Sequence, residues 1–217
     1  MAGLLEKDFR LFLQRKQFFI AILIIALLLS YSTDGTFIVG YLTMIGAIFT
    51  VSTISYDEYD NCYPFLMTLP IDNKIYVIEK YVFGIATGGI TWLFACALFY
   101  LSGMLRQPTV AFGENLPVLA AFVPLFIFII SLSIPFQLKF GAEKSRIALL
   151  ALFGIFMLMG VLGRKLLEMA GCTPDAVLAK INAIPESVVA VLITAATLLL
   201  MAGSILWSIA IMNRKEY

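Results

Sequence analysis

The polar side chains best placed for chemistry form one run, Asp57-Glu58-Tyr59-Asp60, directly after an apolar stretch of the chain. Three carboxylates within four residues could bind a divalent metal, because hard cations prefer oxygen ligands. The alternative is a solvated acidic loop or a surface on which another protein docks. We favour this alternative over a metal site.

Several common active-site chemistries are absent from the sequence. The chain has no histidine, which excludes His-based general acid–base catalysis, HExxH zinc sites and histidine ligation of haem. It has no Gly-Lys pair, and therefore no phosphate-binding glycine loop of the Gly-Lys-Ser/Thr type, and no GxSxG motif. We predict that the chain is not an enzyme and that it holds no metal or cofactor of its own.

Six long stretches without Asp, Glu, Lys, Arg or His account for most of the chain. They are Phe18–Tyr31, Thr36–Tyr56, Tyr81–Leu101, Leu116–Leu138, Ile147–Gly163 and Val188–Met212. A spanning helix needs about 20 mostly apolar residues. The pattern predicts an all-α integral membrane protein with six transmembrane helices, formed as one membrane domain over residues 1–217. With 61% hydrophobic and 13% charged residues, the chain leaves no room for a soluble domain.

The apolar stretches also lack the ionisable residues that form proton relays and ion sites inside membranes. We therefore predict that the protein has no energy source of its own. A net charge of +1 gives no basic surface for nucleic acid, so nucleic acid is excluded as an obvious partner. The three cysteines, Cys62, Cys96 and Cys172, are predicted to be unpaired, because six spans place Cys62 and Cys172 on opposite sides.

The distribution of basic residues predicts the orientation in the membrane. With six spans, eleven of the fifteen bases lie on the side of both termini: Lys7, Arg10, Arg15, Lys16, Lys74, Lys80, Lys139, Lys144, Arg146, Arg214 and Lys215. The positive-inside rule then places both termini in the cytoplasm, as in a multi-pass protein of a bacterial cytoplasmic membrane. Residues 18–32 also loosely resemble a signal peptide, but the long mixed-charge segment before them favours a retained helix.

Three segments between the stretches carry further patterns. Residues 1–17 have apolar groups at helical spacing and predict an amphipathic helix in the cytoplasmic interface, or else a plain extension of the first span. Residues 164–187 predict an external loop in which Thr173-Pro174-Asp175 begins a short helix, or else a loop with one helical turn. Pro124 is predicted to kink the fourth span, and Gly84 and Gly88 to allow close helix approach.

The largest cytoplasmic loop, residues 57–80, contains an unusual apolar segment. Asp60 can cap a helix of about two turns that Pro70 ends. Its apolar and aromatic side chains are disfavoured in water unless a partner covers them. A second cytoplasmic loop follows Pro135 and continues through residues 139–146 with several bases.

These features together resemble the membrane subunit of type-2 ATP-binding-cassette exporters. The resemblance rests on the Leu69-Pro70-Ile71 motif with Glu79-Lys80-Tyr81 downstream, and on the Lys139-Phe140-Gly141 motif with the following bases. It covers the whole chain and points to the short six-helix branch that includes exporters of phenol-soluble modulins and other amphipathic peptides. It implies an assembly of two permeases, identical or paralogous, with two separate ATPase subunits that hold the ATP and Mg²⁺.

The resemblance also implies roles for individual residues. The segment from Asp60 to Leu69 matches the family's coupling helix, which docks on the ATPase. The docking residues would be Asp60, Asn61, Cys62, Tyr63, Phe65, Leu66, Met67 and Leu69. A second, smaller cytoplasmic contact would use Lys139, Phe140, Gly141, Lys144 and Arg146. Residues 173–182 resemble the family's external helix.

Two functions of different classes remain open. The first is the permease half of an exporter for hydrophobic or amphipathic peptides, or a lipid-like molecule, since uncharged walls offer little to a hydrated ion or sugar. The second is a membrane scaffold or immunity-type binding protein that transports nothing. A stable complex with an ATPase would distinguish them.

Overall fold

The computed structural model describes residues 2–32, 35–59, 72–106, 115–169 and 185–215. Within these ranges the chain is helical, with no strand. The helices are α1 Ala2–Gln14, α2 Lys16–Ser32, α3 Gly35–Tyr59, α4 Asn73–Arg106, α5 Leu116–Ala120, α6 Phe122–Met169 and α7 Glu186–Asn213. The all-α prediction is confirmed for this part of the chain. The segment 60–69, with its proposed docking residues, and the segment 173–182 lie outside the described residues, as do Cys62 and Cys172.

Four helical segments of the described chain are long and apolar enough to cross a membrane. They are Thr36–Glu58, Asn73–Met104, Leu116–Lys165 and Val188–Asn213. The first predicted stretch lies in α2, which has 17 residues. The fourth and fifth stretches both lie within Leu116–Lys165, because the segment between them is helical except at Gly141, whose φ is 78° and ψ 175°.

The N-terminal helix is distinct from the first apolar helix, since α1 ends at Gln14 and α2 begins at Lys16. It is therefore not a plain extension of α2. α1 packs on α4. Its Leu4 is buried in the core, and its Phe12 ring meets the Phe49 ring of α3 edge-on at 4.8 Å between centroids.

Two of the three prolines of the fourth stretch, Pro124 and Pro135, lie in α6. Near Pro124 the helix is interrupted: α5 ends at Ala120 and α6 begins at Phe122, while Ala121 between them keeps helical dihedral angles (φ −62°, ψ −21°). Proline lacks an N–H for the carbonyl of Ala120, four residues earlier, and its ring crowds that carbonyl, so the helix is interrupted there. Pro135 lies inside α6 and is buried.

Pro135 also leaves the carbonyl of Ser131 without its helical donor, because that carbonyl lies four residues earlier. The hydroxyl of Ser204 in α7 donates to this carbonyl. Ser204 also hydrogen-bonds Tyr81 of α4, and the Tyr81 and Ser208 hydroxyl oxygens are 3.0 Å apart. A buried polar network thus joins α4, α6 and α7 where water is not present to satisfy these groups.

The small residues of α4 allow close packing, as the sequence predicts. A Cβ on Gly88 would lie 2.8 Å from the Phe126 ring of α6, and a Cβ on Gly84 would lie 3.1 Å from Thr50 of α3. Thr50 and Thr87 hydroxyls meet 3.2 Å apart beside this contact. Gly88 therefore sets the distance between α4 and α6.

Substitution of neighbouring glycines tests this packing. Gly88→Val should destabilise the purified protein by about 1–3 kcal/mol, because the added methyl groups collide with Phe126. Gly89→Val is the matched control, since a Cβ there meets nothing within 4 Å. Thermal unfolding in detergent measures both variants. Equal transition temperatures for the two would contradict the proposed contact.

Candidate functional site

Five charged side chains meet at one end of the helix bundle. Lys7 and Asp8 come from α1, Asp57 from the last turns of α3, and Glu79 and Lys80 from the second turn of α4. Asp8, Asp57, Glu79 and Lys80 are all buried. We name these five residues the charged cluster.

The ammonium of Lys80 is the centre of the charged cluster. Its side chain is fully buried and forms an ion pair with Asp8, a second with Asp57 at 2.9 Å and a longer one with Glu79 at 3.7 Å. The ring of Tyr76, one turn earlier in α4, lies 5.2 Å from the ammonium. A buried ammonium needs such partners, because its transfer from water without them is very costly.

Asp57 connects α1 to α4 through its two oxygens. Its Oδ1 accepts from Lys7, while its Oδ2 accepts from the Tyr76 hydroxyl at 2.9 Å and faces Lys80. Lys7 also lies 3.2 Å from Asp8. Both oxygens of Asp57 are therefore occupied by protein donors, which argues against Asp57 as a metal ligand in this arrangement.

Glu79 differs from the other carboxylates of the charged cluster. Neither of its oxygens has a hydrogen-bond partner among the described residues, although the side chain is fully buried. With all five groups ionised the charged cluster holds three negative and two positive charges. The Lys80 ammonium, 3.7 Å away, faces Glu79 without a hydrogen bond.

A second polar contact connects α3 to the middle of α6. The Ala142 N–H donates to Glu58 Oε2 at 2.6 Å, and the preceding Gly141 has φ 78°. A Cβ at Gly141 would collide with the Glu58 carboxylate, and positive φ is disfavoured for other residues. Gly141 thus divides α6 into two helices. Glu58 caps the start of the second one, where a negative charge is favourable.

Further hydrogen bonds join the helices to one another at the end of the bundle that holds the charged cluster. Gln137 donates to Ser55 at 2.6 Å and accepts from Ser145 at 3.1 Å, which bridges Gly141 on both sides. The Asn73 amide, at the start of α4, reaches the Met212 carbonyl at 3.4 Å. Burial lowers the pKa of Lys215, and the nearby Glu58 carboxylate opposes that shift.

The structure corrects two sequence predictions here. The acidic run was interpreted as a solvated loop or a docking surface. The solvated loop is wrong for Asp57, which is buried in ion pairs, and for Glu58, which caps a helix, while the docking surface stays a prediction. Residues 139–146 were interpreted as a loop, but they are helical on both sides of Gly141. The helix continues because Glu58 replaces the hydrogen-bond acceptor that is lost at the kink.

The charged cluster itself was missed, because its residues lie outside the apolar stretches and come from three separate parts of the sequence. The signal that could have found it is the position of the charges. Asp57 directly follows one stretch, and Glu79-Lys80 directly precedes the next. A charge next to a spanning helix needs a partner or water. Asp8 also lies on the same helical face as Leu4.

The predicted docking residues occupy two kinds of position. Asp60, Asn61, Cys62, Tyr63, Phe65, Leu66, Met67 and Leu69 are outside the described residues, but the segment that holds them begins beside Asp57 and ends beside Asn73. Of the second set, Lys139, Phe140, Lys144 and Arg146 are exposed, and Gly141 is partly buried at the kink. The described residues on each side of this segment are thus tied to α1, α6 and α7.

Comparison with protein families decides the class of the protein. The family described as ABC-2 family transporter protein matches residues 3–213. The chain belongs to the ABC-2 family of transporter proteins. Comparisons with curated proteins and with solved structures gave no match. In this ABC-2 chain the charged cluster connects the N-terminal helix with the two helices that flank residues 60–71.

Removal of the central lysine tests the charged cluster. Lys80→Met should lower the free energy of unfolding by about 3–5 kcal/mol, because three carboxylates would share the single remaining ammonium of Lys7. Lys74→Met, at an exposed position of the same helix, is the control and should change it by less than about 0.5 kcal/mol. Denaturation in mixed detergent measures both. The proposed role of Lys80 is wrong if its variant is as stable as the control.

Proposed function

We propose that the chain is the permease half of an ATP-driven exporter whose ATP hydrolysis takes place on a separate subunit. The observation that carries the proposal is the anchoring of the described residues on each side of residues 60–71. Ion pairs and hydrogen bonds join Asp57 and Glu58, before this segment, to α1, α4 and α6, and Asn73, after it, to α7. Membership of the ABC-2 family supports an ATPase partner for such a segment.

The anchoring suggests how motion of an ATPase would reach the membrane helices. A displacement of the segment 60–71 would act on Asp57 and Glu58 at one end and on Asn73 at the other. Asp57 would transmit it to α1 and α4, and Glu58 to the junction at Gly141. Packed and ion-paired contacts of this kind shift between discrete arrangements, so a small displacement can be passed to whole helices.

The proposed topology has six spans with both termini in the cytoplasm. Fifty residues of Leu116–Lys165 would extend about 75 Å as one helix, which is more than twice the roughly 30 Å hydrocarbon core. Fifty residues are enough for two spans with a turn between them near Gly141, where the positive φ redirects the chain. The exposed bases Lys139, Lys144 and Arg146 then lie on the cytoplasmic side.

We propose hydrophobic or amphipathic peptides as the cargo. The resemblance to amphipathic-peptide exporters supports this, and so do the uncharged faces of α6 and α7, which expose many large apolar side chains. Such faces return little of the hydration that an ion or sugar would lose. Two permeases with two ATPases, the stoichiometry implied by the resemblance, would enclose the path between the permeases.

Docking is tested by substitution in the segment 60–69. Phe65→Asp with Leu66→Asp should abolish co-purification of the ATPase, because binding energy concentrates in a few buried apolar groups. The permease should still insert, since residues 60–69 lie between the apolar stretches of the sequence. Phe140→Asp, at an exposed position of the second predicted contact, should weaken the complex less. A double variant that retains the ATPase and transports normally would show that residues 60–69 do not couple.

The cargo is tested with the reconstituted complex. Amphipathic helical peptides should change the rate of ATP hydrolysis, whereas sugars and inorganic ions should not, because only the peptides can keep an apolar face on the uncharged helices. The measurement is phosphate release in proteoliposomes. A response only to hydrophilic solutes would overturn the cargo but not the exporter. No stable ATPase complex at all would favour the scaffold or immunity-type alternative.

A further inference from the structure

An open groove runs between the first half of α6 and the second half of α7, on the same end of the bundle as the charged cluster. It encloses about 540 Å³, within the roughly 300–1,000 Å³ usual for small-molecule sites. Its walls include Phe128, Leu132, Leu199, Leu200, Gly203 and Trp207. The surface is almost entirely apolar, and a Cβ added at Gly203 would meet nothing within 4 Å.

The length of the groove matches one leaflet of a membrane. On α7 it extends from Ala196 to Trp207, and on α6 it is lined by Phe128, Ser131 and Leu132. The path along α7 is a run of helix of roughly 16 Å at 1.5 Å per residue. Half of the roughly 30 Å hydrocarbon core is about 15 Å. A chain that fills the groove would therefore reach from the membrane boundary to about the bilayer centre.

The mouth of the groove carries a cation and an interfacial aromatic residue. The Lys139 ammonium lies 5.9 Å from the Trp207 ring centroid, and the Phe136 ring meets the same indole edge-on at 6.1 Å. Lys139 is exposed and forms no ion pair within the described part of the chain. Trp and Lys side chains at such positions mark the level of the lipid headgroups.

We propose that this groove binds one anionic phospholipid from the leaflet on the side of α1, with an acyl chain between α6 and α7 and the phosphate at Lys139. The opposite charges of phosphate and ammonium select an anionic headgroup, and basic pockets between membrane helices bind such headgroups. Glycine at position 203 provides the space for the chain. The proposal does not depend on the cargo or on the ATPase.

Trp207 makes the test direct, because the sequence has only one other tryptophan, Trp92. In a Trp92→Phe background, fluorescence of Trp207 is quenched by brominated acyl chains that enter the groove. The protein is reconstituted in bilayers of brominated phosphatidylglycerol or brominated phosphatidylcholine, each diluted with the unbrominated lipid. We expect phosphatidylglycerol to bind beside Trp207 about fivefold more tightly.

Two substitutions with matched controls separate the headgroup from the chain. Lys139→Gln should abolish the preference for phosphatidylglycerol over phosphatidylcholine, so that the ratio of their affinities is about one. Lys165→Gln, at an exposed position near the C-terminal end of α6, should leave this preference unchanged. Gly203→Leu should fill the groove and decrease quenching by both lipids. Gly163→Leu is the control and should not decrease quenching, because a Cβ there also meets nothing within 4 Å.

Native mass spectrometry of the protein with both tryptophans gives a second measurement. It should show one retained phosphatidylglycerol, and this lipid should be lost in Gly203→Leu.

Three results would overturn the proposal. Equal quenching by the two lipids would mean an ordinary lipid-facing surface. An absence of quenching by either lipid would mean that protein, such as a second copy of the chain, covers the groove. A preference for phosphatidylglycerol that survives both Lys139→Gln and Gly203→Leu would place the lipid elsewhere.

Discussion

The buried ammonium of Lys80 is the interaction on which the charged end of the bundle depends. It cannot remain buried without Asp8 and Asp57, and these carboxylates cannot remain buried without it. Because Asp8 belongs to α1 and Asp57 to α3, their mutual requirement fixes the positions of three helices at once. Stability is a weak reason for such an arrangement, since apolar packing would serve equally well. A better reason for the arrangement is that it gives a defined geometry to the helices on each side of residues 60–71.

The membrane-facing part of the molecule follows a different constraint, the need to satisfy backbone groups without water. Pro135 frees the Ser131 carbonyl, and Ser204 supplies the missing donor from another helix. The same hydroxyl joins Tyr81 of α4. One proline thus creates a specific link between α6 and α7. This link lies beside the groove proposed for lipid, where apolar contacts alone would leave the two helices free to slide.

The sequence predicted the helices well and the site poorly, for a physical reason. Apolar stretches are local signals, so they reappear as helices of the described chain, although the fourth is divided between α5 and α6 and only four helical segments there are long and apolar enough to cross a membrane. The pairing of Asp8 with Lys80, or of Glu58 with Ala142, depends on contacts between residues more than 70 positions apart. No local pattern encodes such pairs. The bases of residues 139–146 suggested a loop, whereas the Glu58 cap allows the helix to resume after Gly141.

The helices are closely packed near the charged cluster and loosely packed elsewhere, and this difference affects which helices can move. Near the charged cluster, α3, α4 and the first half of α6 are buried against one another. Beyond Ser145 the second half of α6 exposes nearly every described side chain, as does much of α7. Helices held by few contacts rearrange at lower cost than packed ones. The junction at Gly141 separates these two parts of α6, and Glu58 at that junction belongs to the same turn as Asp57. A displacement at the charged end would therefore change the angle of the loosely packed half first.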